Sequence, residues 1–192
     1  IPFDLIECLD DVRGGVEGAR WQRDDQLHLT LAFIGEVPNK QLVEIADTLS
    51  QIRFEPFDIA LKGVGLFGKP GKPKALWAGV TGKKPVARLH EKITHALMQI
   101  GLDMETRKFT PHITLARFKR GAHARIGDWL SSNECIASEH KQVSHFTLFS
   151  SELTSESAYY NVEARFGGGI YLPETMNEDG TNIYDVGVDP FT

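Results

Sequence analysis

Two stretches of this 192-residue chain carry one string, His28-Leu29-Thr30-Leu31-Ala32 and His112-Ile113-Thr114-Leu115-Ala116, with a single change at its second position. Each stretch lies in an apolar run of the kind that forms a β-strand. Residues i and i+2 of a strand point to the same face, so the histidine and the threonine share one face and the aliphatic residues take the other. The pattern predicts two strands with their backs in a core and their polar faces lining one cleft. Two imidazoles and two hydroxyls in one cleft suit acid–base chemistry on a phosphate without a metal.

A third His-x-Thr occurs at His145-Phe146-Thr147, and we interpret it differently. It continues into Phe149-Ser150-Ser151, whereas the first two copies continue into Leu-Ala. We predict that His145 is an ordinary strand residue near a rim of the sheet.

Length and composition favour one compact unit. Hydrophobic residues make up 41% of the chain, which is enough for a substantial core. The two cysteines, Cys8 and Cys135, form neither a disulfide framework nor a metal motif, which favours free thiols in a reducing cytoplasm. No apolar run reaches the length of a membrane span, and no signal peptide is visible. We therefore expect a cytoplasmic protein without membrane association.

The acidic charge is concentrated at the end of the chain. Residues 166–192 contain five acidic residues and no Lys or Arg, so they carry the whole net charge of −5. The rest of the chain is neutral overall. A neutral body argues against sequence-independent binding of duplex nucleic acid, which depends on many phosphate contacts. It is compatible with a cleft that binds one terminal phosphate.

Hydrophobic periodicity predicts strands and helices from the start of the chain to position 166. Strands are expected over 27–35, 57–66, 75–81 and 109–119, followed by a hairpin over 140–152 and 158–166. Helices are expected over 2–13, over 39–53, near 123–131, and from Pro85 to Ile100 with Gly101 as a C-terminal stop. Each motif strand is followed by a helix, which indicates two similar lobes related by a pseudo-two-fold axis.

Two other patterns are expected to be coincidental. Gly63-x-Gly65-x-x-Gly68 fits the dinucleotide fingerprint, but the next residues, Lys69 to Pro73, include two prolines and cannot start the required helix. We predict a basic loop between two strands there. His90 and His95 lie five residues apart on one helix, whereas zinc-binding histidines of this kind lie four apart. Both are expected to face solvent.

The flanks of the paired motifs carry a family resemblance. Gly18-Ala19-Arg20-Trp21 precedes the first motif, Leu76-Trp77-Ala78-Gly79 lies between the two, and Phe109-Thr110-Pro111 directly precedes the second. Two such motifs, one in each half of the chain and with these flanks in this order, resemble the two-histidine (2H) phosphoesterases. Within that superfamily the chain is similar to the RNA 2′,3′-cyclic phosphodiesterases, also called 2′-5′ RNA ligases. The resemblance covers residues 1–166.

The resemblance implies an α+β fold with two pseudo-symmetric lobes of antiparallel β-sheet, outer helices and a central cleft that carries both motifs. Residues 1–166 are expected to form this single two-lobed domain, with the first family strand missing before Ile1. Residues 167–192 have no counterpart in the family. Two interpretations of this acidic tail stay open: it is disordered, or its apolar segment 183–188 pairs with a sheet edge. A monomer is expected, with association through the tail as the alternative.

The same resemblance implies hydrolysis of RNA 2′,3′-cyclic phosphate ends to 2′-phosphates, with 2′-5′ RNA ligation as a reversible side activity and no metal or cofactor. By resemblance, His28 is the general acid and His112 the general base. Thr30, Thr114 and Arg117 are expected to bind the phosphate. Strict alternation along the strand, however, would turn Arg117 away from His112.

Three aromatic residues are candidates for stacking on a nucleobase: Phe33, Trp77 and Phe118. The expected partner is an RNA end bearing a cyclic phosphate, or a small nucleotide. Two alternatives stay open: a phosphodiesterase acting on another 2′-linked or cyclic nucleotide substrate, and a module that binds RNA ends without turnover.

Overall fold

A computed structural model describes residues 3–153, 158–167 and 181–188 of the chain. Within these ranges the helices are α1 (Phe3–Asp10), α2 (Asn39–Ser50), α3 (Lys83–Gln99) and α4 (Gly127–Asn133). The strands are β1 (Ala19–Trp21), β2 (Leu29–Pro38), β3 (Phe57–Ile59), β4 (Leu61–Lys69), β5 (Lys72–Val80), β6 (His112–Phe118), β7 (Lys141–Val143), β8 (Phe146–Leu153), β9 (Ala158–Phe166) and β10 (Thr181–Val188). A short 3₁₀ turn, Asp24–Gln26, precedes β2.

Eight strands form one sheet in the order β4-β5-β6-β2-β10-β8-β9, with β1 pairing alongside β6. All the recorded pairings are antiparallel, and β3 and β7 form a separate two-stranded sheet. The predicted α+β class is therefore confirmed. The large sheet consists of two four-stranded halves, β1 with β4–β6 and β2 with β8–β10. They meet at a single pair, Leu29 with Ile113, so the motif strands are direct neighbours.

Helices α2 and α3 cover β2 with apolar stripes. The buried residues of α3 recur every three or four positions, as the sequence pattern predicts: Val86, Leu89, Ile93 and Leu97. Gly101 ends this segment with a φ of +86°, a conformation that glycine adopts without steric strain. Each fully buried Leu or Ile stabilises the fold by about 1.5–3 kcal/mol relative to an exposed one. Of the helices in the described ranges, none is long and apolar enough to cross a membrane.

The basic loop predicted between two strands at the glycine-rich segment is shorter than expected, because most of the segment is strand. Residues 63–69 belong to β4, and the turn to β5 consists of Pro70 and Gly71. Gly65 lies beneath the indole of Trp77, where an added Cβ would stand 2.1 Å from the ring. The glycine is there because the ring needs the space, not because a phosphate needs a loop. The expected strand over 57–66 is also divided, since β3 pairs with β7 and β4 pairs with β5.

The C-terminal segment contributes β10, which lies between β2 and β8 in the interior of the sheet and not at an edge. Tyr184 and Val186 in this strand are fully buried. The rest of the tail, residues 168–180 and 189–192, lies outside the described residues. The expectation of a missing strand before Ile1 likewise concerns a part of the chain that is not described.

Candidate active site

The two motifs meet around the pair Leu29–Ile113. Because β2 and β6 run antiparallel, this register sets Thr30 beside His112 and His28 beside Thr114. Leu29 and Ile113 are fully buried on the back of the sheet, so the four polar side chains share the front. A pseudo-two-fold axis passes through the central pair and exchanges the two motifs.

The two imidazoles are oriented by equivalent hydrogen bonds. His28 Nδ1 donates to the carbonyl of Gln26 at 2.9 Å, and His112 Nδ1 donates to the carbonyl of Thr110 at 2.6 Å. In both cases the acceptor is the backbone two residues earlier in the chain. A carbonyl can only accept, so the Nδ1 proton is fixed and Nε2 is the nitrogen that can exchange a proton. Each histidine therefore presents the same atom for chemistry.

Aromatic rings wall both histidines. Tyr160 meets the ring of His28 edge-on at 4.7 Å between centroids, and Phe149 lies 5.7 Å away. On the other half, Phe67 meets His112 edge-on at 4.7 Å, and Trp77 lies 6.2 Å away. These rings limit the access of water and hold the imidazoles in fixed orientations.

The two halves differ in electrostatics. Burial lowers the pKa of His112 below its usual value of 6.5, and the positive charges of Arg117 and His28 lower it further. The hydrogen bond to the Thr110 carbonyl opposes this shift without cancelling it. His28 has instead a carboxylate partner, since its Nε2 lies 3.5 Å from Oδ2 of Asp185. The electrostatics favour a neutral His112.

A β-bulge brings Arg117 to the front of the sheet. Trp77 pairs with Thr114 and Leu76 with Ala116, so Leu115 is an extra residue in β6. The next pair, Ala75 with Arg117, returns Arg117 to the face of Thr114. The alternation rule therefore fails at Leu115. The effect of the guanidinium on the pKa values of His112 and Tyr160 places it within electrostatic reach of both halves.

A second bulge occupies the equivalent place in β2. Ala32 pairs with Val186 and Thr30 with Gly187, which leaves Leu31 as the extra residue. Phe33, five positions after the motif histidine as Arg117 is, thereby reaches the front and is 58% exposed. The pseudo-two-fold thus matches an aromatic ring on one half with a cation on the other.

His90 was predicted to face solvent, but its side chain instead hydrogen-bonds to the backbone at this second bulge. Its Nδ1 donates to the carbonyl of Leu31 at 2.6 Å, and its ring stacks on Phe109 at 4.0 Å. The bulge frees a carbonyl that needs a donor, and α3 supplies one. His95 is exposed, as expected.

A cavity of about 380 Å³ opens beside His112 and Thr30. Its walls include Phe33, Phe67 and Phe109, with Lys108 and the ion pair of Arg107 and Glu105 at its exposed side. Flat apolar walls, cationic residues and a catalytic-type histidine in one cavity are features suited to a nucleotide.

The other candidate aromatics differ in environment. Trp77 is half-buried over Gly65 and next to His112, so it belongs to the wall of the site. Phe118 packs against the hydrophobic core at the end of β6. Its stacking on a base stays a prediction. His145 directly precedes β8, and Thr147 in the third motif is fully buried.

Sequence reasoning missed several residues of the site. Tyr160, Phe149 and Phe67 come from strands that are distant in sequence, and only the register brings them to the histidines. Asp185 lies in the tail, where its acidic neighbours concealed it. In the described part of the chain no group of three or more His, Cys, Asp or Glu is arranged to hold a metal ion. Cys8 and Cys135 are free thiols.

Comparisons with known proteins agree with this architecture. The model of the family described as LigT-like phosphoesterase matches residues 4–77 and 80–160. The chain is 32% identical over 146 residues to the RNA 2′,3′-cyclic phosphodiesterase of Archaeoglobus fulgidus, covering 76% of this chain and 82% of the relative. It is 33% identical over 157 residues to the protein of that name from Thermotoga maritima, covering 80% and 82%.

Solved structures show the same fold. TT0787 of Thermus thermophilus superposes with a TM-score of 0.65 at 27% identity, covering 85% of this chain and 88% of that one. Escherichia coli LigT, in a complex with 3′-AMP, gives a TM-score of 0.65 at 24% identity with the same coverage.

Proposed function

Because the chain belongs to the LigT-like phosphoesterase family, we infer that it is an RNA 2′,3′-cyclic phosphodiesterase that opens the cyclic phosphate to a 2′-phosphate. The observation that carries this inference is the pair of imidazoles with fixed Nδ1 protons and contrasting electrostatics. The reaction needs one base and one acid at the same time, and the two histidines supply both near neutral pH.

His112 acts as the base and His28 as the acid in this proposal. A water molecule gives a proton to Nε2 of His112 and forms a bond to phosphorus, while the bond from phosphorus to the ribose 3′-oxygen breaks. His28 gives its Nε2 proton to that departing oxygen, which is a poor leaving group without one. A lowered pKa at His112 supports this direction, since a base must be neutral before the reaction.

Thr30, Thr114 and Arg117 stabilise the charge that develops on the non-bridging oxygens. Each threonine lies beside the histidine of the other strand in the antiparallel register, so each hydroxyl lies next to a reacting imidazole. Hydroxyl donors and a guanidinium fixed before the reaction stabilise the transition state more than mobile water does. Thr30 and Thr114 flank the phosphorus in this arrangement, and Arg117 neutralises its charge.

The nucleoside that carries the cyclic phosphate occupies the cavity beside His112, with its base against Phe33. The exposed ring of Phe33 and the adjacent cationic residues support this placement. Stacking is tolerant of base identity, which fits an enzyme that acts on RNA ends. The reverse reaction, in which a 5′-hydroxyl replaces water, would use the same groups to form a 2′-5′ linkage. The two free thiols, Cys8 and Cys135, support a location in a reducing cytoplasm.

The test is an oligoribonucleotide that ends in a 2′,3′-cyclic phosphate, incubated with the protein and EDTA. We expect a 2′-phosphate as the product for wild type and none for His28→Ala or His112→Ala. His95→Ala, on the exposed face of α3, is the matched control and should keep full activity. A 3′-phosphate product would reverse the roles of the two histidines. Tight binding without turnover would make the protein a module that binds RNA ends.

A further inference from the structure

A buried carboxylate from strand β10 faces the Nε2 atom of one of the two histidines. Asp185 is 6% exposed, and its Oδ2 lies 3.5 Å from Nε2 of His28. Its Oδ1 is also buried and has no hydrogen-bond partner among the described residues. A buried carboxylate is unfavourable unless a hydrogen-bond donor or a cation faces it, and Nε2 of His28 is the group that faces Asp185.

The same strand also leaves the space that the imidazole fills. Gly187 lies opposite Thr30, and an added Cβ there would stand 3.3 Å from Cδ2 of His28 and 3.1 Å from the carbonyl oxygen of Leu29. Both distances are tighter than ordinary contacts. The ring of His28 therefore rests against the bare backbone of β10. Two residues of β10 therefore contact His28: Asp185 through its charge and Gly187 through the space it leaves for the ring.

We propose that β10 is part of the catalytic apparatus, in which Asp185 is a positioning residue that keeps His28 protonated on Nε2 as the general acid and Gly187 seats its ring. This inference rests on the proposed function, because it explains how one of two equivalent histidines becomes the acid. His112 has aromatic walls and the cation Arg117 nearby instead.

The separation of 3.5 Å suits this role. It is long for a hydrogen bond but within the range of an ion pair, so the Nε2 proton is available to the leaving oxygen while the carboxylate still favours its presence. After the proton is transferred, the carboxylate favours its return from solvent. A carboxylate so close to an anionic phosphate would weaken substrate binding if it had no such use.

Other titratable groups around His28 act alongside Asp185. Tyr160 on β9 touches the ring, and burial together with Asp185 raises its pKa, so it remains a neutral phenol. Arg117 on β6, the strand that pairs with β2, contributes positive charge. Positive charge disfavours a second proton, so it works against protonation of His28. Of these groups Asp185 is the one whose charge favours it.

The test compares Asp185→Asn with Asp58→Asn, which removes an equal charge from an exposed position of strand β3. Ring ¹⁵N chemical shifts of His28 at pH 7 report its protonation without substrate. We expect Asp185→Asn to convert His28 from imidazolium to the neutral Nδ1–H form. The alkaline limb of kcat/KM should move to lower pH by about one unit or more, with roughly a tenfold loss at pH 8 and a small loss at pH 6. Asp58→Asn should change neither measurement.

Two further variants separate charge from shape. Asp185→Glu should restore the alkaline limb, whereas Gly187→Ala should lower kcat and leave the limb in place. The proposal is overturned if Asp185→Asn leaves the His28 shifts unchanged, or if it raises kcat/KM by removing repulsion of the phosphate. Should wild type lack phosphodiesterase activity while Asp185→Asn still deprotonates His28, the ion pair would stand and the proposed function would fail.

Discussion

Substituting Gly65 by Ala should displace the indole of Trp77, which forms part of the wall around His112. The added Cβ would stand 2.1 Å from Cζ2 of Trp77, whereas ordinary contacts begin near 3.4 Å, so the indole must retreat by more than an ångström. The indole also lies against Phe67, at 5.6 Å between centroids, and against His112. It cannot move that far without loosening the wall around His112.

Two effects of known direction follow from this displacement. Forcing a methyl group into a filled site destabilises proteins by about 1–3 kcal/mol. Loosening the wall admits water to His112, whose pKa is lowered mainly by burial, so the pKa should rise toward its usual value. Because the base must be neutral, the acidic limb of the kcat/KM profile should move to higher pH, and activity at pH 6 should fall more than activity at pH 8.

The control for this variant is Gly127→Ala, at the start of α4, where an added Cβ meets no atom within 4 Å. Urea denaturation should show a loss of about 1–3 kcal/mol for Gly65→Ala and no loss for Gly127→Ala, and the pH profile should move only in the former. If Gly65→Ala unfolds with wild type and keeps its acidic limb, Trp77 does not rest on Gly65 and does not shield His112.

Three other predictions test the remaining parts of the site. Since the folded protein lowers the pKa of His112, the unfolded chain binds more protons, so stability should rise with pH from the lowered value up to about 6.5; urea midpoints at pH 5 and 7.5 should show a smaller pH effect in His112→Gln than in wild type. Arg117→Ala should lower kcat/KM about 10²-fold, with partial recovery in Arg117→Lys, and an unchanged rate would remove this cation from the mechanism. Phe33→Ala should raise KM about 5- to 100-fold at constant kcat for RNA ends, and a base-free ribose cyclic phosphate should show no such increase.

Local rules were sufficient for the parts of the fold that repeat with a simple period. The two-residue period of a strand puts His28 with Thr30 on the front and Leu29 on the back, as its full burial shows. The stripe of α3 follows from the 3.6-residue period in the same way. Both patterns are decided by the nearest neighbours in sequence together with burial.

Features that depend on strand pairing could not be predicted. Leu31 and Leu115 look like ordinary strand residues, and only the register with β10 and β5 shows that each is the extra residue of a bulge. Strict alternation therefore conflicts with the predicted role of Arg117 in binding the phosphate, and the equivalence of Phe33 and Arg117 is not visible in the sequence. The three glycines that fit a nucleotide fingerprint, Gly63, Gly65 and Gly68, also give no sign in the sequence that Gly65 makes room for an indole from the next strand.

The position of β10 between β2 and β8 is the most important structural feature that could not be predicted from the sequence. A polar, acidic tail with a short apolar segment predicts disorder or an edge strand, because local composition contains no information about a vacant position deep in a sheet. The pairing partners of β10 lie far from it in sequence, in β8 and, near the other end of the chain, in β2. Asp185 reaches His28 only through this long-range contact.

Function requires that the two halves of the site differ. In a symmetric pair the singly protonated state would carry its proton on either histidine with equal probability, so neither would have a fixed role as acid or base. This chain keeps the histidine, the threonine and the bulge in both halves, and it varies what surrounds them. One half has a carboxylate at 3.5 Å and an exposed phenylalanine, and the other has a buried, cation-facing imidazole. The repeated motif supplies the reacting groups, and the surroundings that are not repeated assign their roles, so exchanging the surroundings should exchange acid and base.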